Sequence, residues 1–501
     1  MTSEFKDKSL KFNLGIVKRP RHRGGYLVVL LLVFGAVFFT IFTAFMSFTI
    51  TGSKISNAKL NSEQALQIAE AGLNYYKWFL AHHPDDIQNG SGVAGPYIVP
   101  FSDPEGDVIG EYSLAVDGNL ACEAVTSVDI TSTGYTKAEP NIKRVVYARY
   151  ARPNVAEFSH IVNANVWAGP DRIIYGPYHS NGFVRMDGLN NSKVTSGQTS
   201  AQCQSLDICK SSPQYASNST NVDGVFGAGA GSDLWEWSVP PVSFTGVTVD
   251  LSDMKERAVN SGGQYYGPSG KAGYYVLFNL NGTYTLKIVK DNKSKGNAWG
   301  HQKNILNSAT TVGTYAIPSA CGVLFFEDNV WVEGVVSGKV TVAAAAPDST
   351  TDPRVVIVGD LTYANEESGL LLVAEENINI GLDVPDNMMI NGIFLAQKGK
   401  FQRPYYYVNS SNYPDPNPDA IRIQTSMSAY MERNSLTTNG TIVSNGRVGT
   451  KWTCSNSWSS WYCNGFEYRY DYYDRDLAID PPPLTPKTSD NYQFIEWREQ
   501  E

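Results

Sequence analysis

The chain lacks the motifs by which common enzyme families are recognised. It contains no GxxxxGK phosphate loop, no HExxH zinc motif and no GxSxG nucleophile elbow, and its 6 histidines are scattered. Neither close pair of cysteines has CxxC spacing, and no histidine lies near either pair, which argues against a zinc site. We therefore expect no enzyme activity, no catalytic residues, no cofactor and no metal.

Charge is also scarce, and it is unevenly placed. Charged residues make up 18% of the 501 positions, and the net charge is −9. Residues 1–24 carry Glu4 and Asp7 but also a set of basic residues, namely Lys6, Lys8, Lys11, Lys18, Arg19, Arg21 and Arg23. The rest of the chain is therefore strongly acidic and repels phosphate backbones, which predicts no nucleic-acid partner.

One apolar run dominates the sequence, and it extends from Tyr26 to Ile50 without a charge. As a helix it would span roughly 37 Å at about 1.5 Å per residue, enough to cross a bilayer. A cleaved signal peptide is the alternative, but its apolar region is only about 7 to 15 residues long. The positive-inside rule places leader 1–24 in the cytoplasm and the chain after Thr51 outside. This predicts a single-pass protein of the cytoplasmic (inner) membrane.

Helical periodicity continues beyond the apolar run. Apolar and small residues recur at spacings of three and four from Ile55 to Leu80, and Pro84 breaks the pattern. We therefore expect one long helix over residues 25–84, with a transmembrane part over 26–50 and an amphipathic second half.

This N-terminal region resembles PilX-type minor pilins and related pseudopilins. The resemblance rests on the basic leader, the Gly24-Gly25 step, the apolar run and the Glu70-Ala71-Gly72 signature. It implies cleavage by a prepilin peptidase after Gly24 or Gly25, and packing of the helix against other pilin-like subunits. Where most major pilins carry an acidic residue at mature position five, this chain has Val29 or Leu30. Tip subunits often share that departure, so the resemblance implies a minor subunit at the filament tip.

Two kinds of β structure follow the helix. Residues 85–153 alternate apolar and polar positions between turns, which predicts antiparallel strands, and ITSTGYTK resembles a pilin strand. Residues 154–486 contain short β-branched segments at irregular spacings of about twenty residues, which is typical of solenoid rungs. We expect a mostly β protein in which a right-handed parallel β-helix forms this head, with a β-sandwich as the alternative. Residues 487–501 are expected to be a C-terminal tail.

The head also resembles that of largely uncharacterised bacterial surface proteins with a PilX-like N-terminus. The shared segments are GPYHSNGFVRMDG and the stretch YRYDYYDRDLAIDPPPLTP. In those proteins the first segment opens a β-helix and the second closes it. The resemblance implies the same arrangement here.

The cysteines fit an extracytoplasmic location. Cys203 and Cys209 lie six positions apart, and Cys454 and Cys463 lie nine apart, so each pair is a disulfide candidate. Cys122 and Cys321 have no nearby partner in the sequence, and their fate is left open.

A binding surface is expected in the loop that holds the second cysteine pair. Trp452, Trp458 and Trp461 lie in or beside it and could contact a sugar ring or a protein partner. The alternative is that these tryptophans fold back as a cap on the last rung.

Together these features predict a membrane-anchored minor pilin-like subunit of a type IV pilus or related secretion filament. Its β-helical head would be displayed at or near the tip, for assembly priming or surface adhesion. Its expected partners are other pilin-like subunits, the lipid bilayer, prepilin peptidase and a surface glycan or protein. The alternatives are a tethered extracytoplasmic enzyme acting on glycans and an envelope protein that does not polymerise.

Overall fold

The computed structural model describes residues 25–84, 86–209, 221–244, 250–290, 301–306, 308–408, 420–457 and 460–500. At 25, 304–305, 453–457 and 460–463 it describes the backbone only. The fold is mostly β, with a long N-terminal apolar helix.

The helices are few, and all but the first are short. The α-helices are α1 (Gly25–His82), α2 (Leu251–Asn260), α3 (Lys303–Leu306) and α4 (Arg475–Ile479). Single 3₁₀ turns cover Val155–Glu157, Cys203–Ser205, Asp207–Cys209 and Ser232–Leu234, and a longer one covers Thr425–Tyr430.

The strands fall into three runs along the chain. The first run is β1 (Tyr97–Ser102), β2 (Val108–Ala121), β3 (Ala124–Thr136) and β4 (Lys143–Ala151). The second run is β5 (His160–Val162), β6 (Val166–Ala168), β7 (Arg172–Ile174), β8 (Tyr178–Ser180), β9 (Val184–Met186), β10 (Leu189–Asn190), β11 (Val194–Ser196), β12 (Ser200–Gln202), β13 (Asn221–Asp223), β14 (Val225–Phe226) and β15 (Trp235–Trp237).

The third run begins after α2 and continues to the C-terminus. Its members are β16 (Gln264–Tyr266), β17 (Gly273–Asn279), β18 (Thr283–Val289), β19 (Thr310–Ala316), β20 (Val323–Phe326), β21 (Val330–Val336), β22 (Lys339–Ala344), β23 (Val355–Tyr363), β24 (Gly369–Ala374), β25 (Ile378–Ile380), β26 (Asn387–Ala396), β27 (Phe401–Gln402), β28 (Tyr406–Val408), β29 (Ile421–Ile423), β30 (Glu432–Ser444), β31 (Lys451–Ser457), β32 (Ser460–Tyr472) and β33 (Gln493–Gln500).

The long helix has two parts with different surroundings. From Tyr26 to Leu60 its residues are exposed, apart from Gly35. From Ala65 onward one face is buried against β2, β3 and β4, through residues such as Ile68, Leu73 and Leu80. The sequence therefore predicted both the length of the helix and its change of character, and the helix ends two residues before Pro84.

Helix α1 approaches the sheet closely because a glycine lies at the contact on each side, one on the helix and one on β3. A Cβ at Gly72 would lie 2.8 Å from the ring of Tyr112 and would overlap Ser132. A Cβ at Gly134 would overlap the helix backbone at Ala65 and Ala69. The glycines of the Glu-Ala-Gly and Ser-Thr-Gly-Tyr segments are thus the two residues that permit this contact.

The C-terminus belongs to the sheet that packs on α1. That antiparallel sheet, called the small sheet below, has the order β1-β2-β3-β4-β33. Residues 487–501 were expected to be a tail, but Gln493–Gln500 pairs with β4 instead. Tyr492 also donates a hydrogen bond of 3.0 Å to the carbonyl of Pro84 at the end of the helix. The head, residues 154–486, is therefore inserted between two neighbouring strands of one sheet.

The head is built mainly from parallel strand ladders. One ladder runs β16-β20-β22-β24-β26-β30-β5-β8-β11-β15. Another runs β21-β23-β26-β30-β32-β7-β10. A third joins β17, β21, β23, β25 and β27. Antiparallel pairing of β17 with β18, β18 with β19 and β31 with β32 makes the overall sheet mixed.

The order of strands in these ladders differs from their order in the sequence. The chain enters the ladder in the middle at β5 and climbs to β15, and after α2 it resumes at the opposite end with β16. It then climbs back until β30 and β32 meet β5 and β7, a junction that we call the seam. The two segments that were expected to open and close a β-helix therefore lie side by side in the middle of the ladders. Within the second segment, Pro482 and Pro483 lie against Gly369 and Thr341 on the side of the head.

The close contact at Gly72 makes a testable prediction. We expect Gly72→Ala to lower the free energy of unfolding by about 1 to 3 kcal/mol, because the methyl group forces the helix away from Tyr112 and Ser132. Gly52→Ala is the matched control, since Gly52 is also helical but has nothing within 4 Å of the added Cβ. It should raise stability by up to about 1 kcal/mol through helix propensity. Denaturant unfolding of both variants in detergent measures this, and equal effects would contradict the packing.

Candidate functional site

The exposed apolar half of α1 is the largest feature that the rest of the described chain leaves uncovered. Its side chains are exposed along the whole run, from 81% at Tyr26 to 54% at Ile50. The segment is long and apolar enough to cross a membrane. Soluble proteins rarely leave so much contiguous apolar surface in water. This surface therefore needs lipid or other apolar helices around it.

The polar groups within this half are satisfied locally. The hydroxyls of Thr40, Thr43 and Thr49 donate to carbonyls three or four residues earlier, at 2.7, 2.7 and 2.9 Å. Such bonds lower the cost of placing a hydroxyl in hydrocarbon. The helix can therefore enter an apolar environment without unpaired side-chain donors at these positions.

The residues expected to govern processing lie at the start of this helix. Gly24 lies outside the described residues, and Gly25 is the first residue of α1. Val29 and Leu30, at the position where an acidic residue was expected to be missing, are 59% and 47% exposed. Neither side chain carries a charge.

A disulfide joins the small sheet to the head. Cys122, in the β2–β3 turn, is bonded to Cys321, which precedes β20, across 199 positions of sequence. Next to it, Arg257 of α2 donates a hydrogen bond of 2.6 Å to the carbonyl of Cys122. These two cysteines had no assigned partner in the sequence, because nothing in it shows that a hairpin tip and a distant rung meet.

The two expected disulfides have different outcomes. Cys203 and Cys209 are bonded, and they lie in a small apolar cluster with Phe183, Ile208 and Phe226. Cys454 and Cys463 lie on the paired strands β31 and β32, but their side chains are outside the described residues. Their pairing stays a prediction.

Trp452 is the one tryptophan of the expected binding surface whose side chain lies within the described residues. Trp452 is half-buried, and its indole N–H donates a hydrogen bond of 2.9 Å to the carbonyl of Arg403. Its ring meets that of Tyr405 edge-on. Trp452 therefore packs onto the head, as the cap alternative requires. Trp458 and the side chain of Trp461 lie outside the described residues.

A buried ionic network holds the seam together. Asp471 of β32 accepts a hydrogen bond of 2.6 Å from Arg172 of β7, and Arg172 also donates one of 2.7 Å to Nε2 of His160 on β5. Next to this group, Arg469 donates a hydrogen bond of 2.6 Å to Asp171. The bonds from Arg172 to Asp471 and from Arg469 to Asp171 join opposite ends of the head sequence, so the network ties its first strands to its last.

The electrostatics of the network follow from its burial. Burial, reinforced by the charge of Arg172, lowers the pKa of His160 to about 3, so this ring is neutral at pH 7. Burial alone would raise the pKa of Asp471, but Arg172 and its neighbours hold that pKa below its usual value. The carboxylate is therefore charged inside the head, and its energy depends on the guanidinium beside it.

The alternating pattern of one segment of β32 is the local sequence feature that bears on this network. Tyr468 to Tyr472 reads Tyr-Arg-Tyr-Asp-Tyr, and a strand sends alternate residues to opposite faces. The usual rule would place the tyrosines inside. The structure places Arg469 and Asp471 inside instead, because they meet Asp171 and Arg172 from elsewhere in the chain.

A large open cleft on the head is lined by several charges, and some of them pair with one another. It has a volume of about 840 Å³ and is bordered by residues that include Lys255, Glu327 and Asp348. Lys255 lies 2.6 Å from Glu327 and 2.8 Å from Asp348. Among the described residues, no group of three or more histidine, cysteine, aspartate or glutamate side chains is placed to hold a metal ion.

Comparison with known proteins does not assign this chain to a family. No family model matches this chain, and no curated protein matches it. Among solved structures, the competence-associated pilin ComZ from Thermus thermophilus aligns over 88% of this chain and 97% of its own, with 13% identity and a TM-score of 0.27. At that identity and TM-score the likeness does not establish a shared fold.

The seam network makes a second prediction. We expect Asp471→Asn to lower the free energy of unfolding by about 3 to 5 kcal/mol, because it leaves the buried charge of Arg172 without a counter-ion. Asp348→Asn is the control, since the Asp348 side chain is 77% exposed although it also pairs with a lysine. It should cost less than about 1 kcal/mol. Denaturant unfolding followed by tryptophan fluorescence compares the two, and a small loss for Asp471→Asn would contradict the role of the network.

Proposed function

We propose that this chain is a membrane-anchored, minor pilin-like subunit of a type IV pilus or related secretion filament. The observation that carries the proposal is the form of α1. One continuous helix is uncharged, mainly apolar and exposed in its first half, and it packs on an antiparallel sheet in its second. An anchor that served only the membrane would not need the same helix to form the core of the first globular unit.

The surface of the apolar half suits packing against other helices. Ala36, Thr40, Ala44 and Ser47 follow one another at spacings of three and four, so they form a stripe of small side chains on one face. Small residues allow helix backbones to approach closely in an apolar environment. The proposed partners of this face are the helices of other pilin-like subunits, with the bilayer as the environment before assembly.

We place the head outside the cytoplasm and identify it as a right-handed parallel β-helix. The disulfides of the head support the compartment. The parallel ladders and their inner aliphatic columns support the fold, whereas a β-sandwich is built from antiparallel sheets. The basic leader, which would stay in the cytoplasm, is the proposed substrate of prepilin peptidase.

A tip position follows from the missing carboxylate. In pilin-like filaments an acidic side chain near the start of one helix neutralises the amino terminus of a neighbour. Val29 or Leu30 cannot do so, and an unpaired charge in an apolar core costs several kcal/mol. At the tip no further subunit needs that partner. A head of this size would also crowd the side of a filament if every subunit carried it.

The proposed role of the head is binding or assembly priming rather than catalysis. Its two strongly perturbed histidines, His160 and His301, are 1% and 6% exposed and therefore out of reach of a substrate. In the charged cleft, Lys255 is engaged in ion pairs with Glu327 and Asp348.

Processing of the leader tests the proposal directly. In cells with active prepilin peptidase, mass spectrometry should find a mature N-terminus at Gly25 or Tyr26, and cells without the peptidase should retain Met1. Gold labelling of the head should then decorate filament ends. An intact leader despite active peptidase would contradict the filament role, and uniform labelling of the shaft would contradict only the tip position.

A further inference from the structure

Residues 468–472 of strand β32 reverse the usual distribution of side chains, with tyrosines outside and charged residues inside. Tyr468 and Tyr472 are 45% and 41% exposed, whereas Arg469 and Asp471 between them are 9% and 4% exposed. On the neighbouring strand β30, Leu436 points inward in the ordinary way and is 3% exposed. The informative departures from the usual distribution are buried charges and exposed large apolar groups, and this strand has both.

The inversion is fixed by the seam. A slip of one residue would exchange the two faces of the strand and bury the tyrosines. The bonds from Arg469 to Asp171 and from Arg172 to Asp471 hold the register that keeps them outside. An aromatic face that is kept exposed in this way has no role in packing the head.

The tyrosines lie beside the side chains of two neighbouring parallel strands. Three rows of side chains cross β26, β30 and β32 in register: Asn387, Ser435 and Tyr468; Met389, Thr437 and Tyr470; and Asn391, Asn439 and Tyr472. Tyr175 continues the third row, and its ring stacks on that of Tyr472 with centroids 5.0 Å apart and planes within 5°. We call these ten side chains the tyrosine face.

The phenol groups of this face are free to bind. Among the described residues, the hydroxyls of Tyr175, Tyr468, Tyr470 and Tyr472 make no hydrogen bond to another protein group. Phenol and amide groups both donate and accept hydrogen bonds. The face thus combines aromatic area with several unused donors and acceptors.

We propose that the tyrosine face binds an uncharged polysaccharide. Tyrosine rings offer large apolar area at low conformational cost, which suits the C–H faces of sugar rings, and the amides and hydroxyls match sugar hydroxyls. The face itself carries no charge, while Glu432 and Glu467 are exposed on the strands that form it. This arrangement repels uronic acids and phosphates and favours a neutral chain.

The site is distinct from the tryptophan loop and does not depend on filament assembly. Trp452 packs onto Tyr405 and Arg403 instead of joining the tyrosine face. A head held on a simple membrane anchor would bind the same ligand. A failure of the filament proposal and a failure of this one are therefore distinguishable.

The test uses the full chain in detergent and a panel of neutral probes: cellulose, chitin, cross-linked dextran and an array of neutral glycans. Wild-type protein should bind at least one of them, and Tyr468→Ser/Tyr470→Ser/Tyr472→Ser should weaken that binding by about tenfold or more. The matched control is Tyr315→Ser, because Tyr315 is 38% exposed but lies outside the face. It should bind as the wild type does.

Unfolding temperatures and single serine variants are the controls for this binding test. The triple serine variant removes two exposed side chains and the half-buried Tyr470, so its unfolding temperature is measured beside that of the wild type. If it does not fold, the single variants Tyr468→Ser and Tyr472→Ser should each weaken binding. No binding of the wild type to any neutral glycan would overturn the proposal, as would wild-type affinity in folded serine variants.

Discussion

The pairing of β33 with β4 is the constraint from which the rest of the architecture follows. Because these strands are neighbours, the head must leave the small sheet and return to it at one place, and Asn154 and Lys487 are bridged there. A simple solenoid begins at one end and finishes at the other. This head begins in its middle, climbs to β15, restarts at β16 and closes on itself at the seam.

The closed path of the head is held at two places, the seam and the disulfide bond at Cys321. At the seam, the aliphatic inner column of the head gives way to His160, Arg172 and Asp471, whose mutual bonds allow only one register. Far from the seam, the Cys122–Cys321 bond fixes the other end of the head to the tip of a small-sheet hairpin. The head is thus attached at two points, and the orientation of its tyrosine face relative to α1 is set by covalent and ionic contacts.

The sequence predicted the elements that depend on local patterns, and it missed those that depend on distant contacts. Periodicity up to Leu80 predicted α1, and alternation predicted the strands of the small sheet. The bond between Cys203 and Cys209 joins near neighbours. By contrast, the Cys122–Cys321 bond and the inward side chain of Asp471 depend on partners hundreds of residues away. The pairing of Gln493–Gln500 with β4 likewise has no local signal, because an exposed edge strand carries little hydrophobic pattern.

Hydrogen exchange of the full chain in detergent tests most directly whether the head is inserted into the small sheet. Peptides covering Gln493–Gln500 should exchange slowly at the amides that face β4, and their protection should be lost together with that of Lys143–Ala151 as denaturant is added. Exchange of Gln493–Gln500 at the rate of an unstructured peptide, while Lys143–Ala151 stays protected, would contradict the insertion and the closed path of the head.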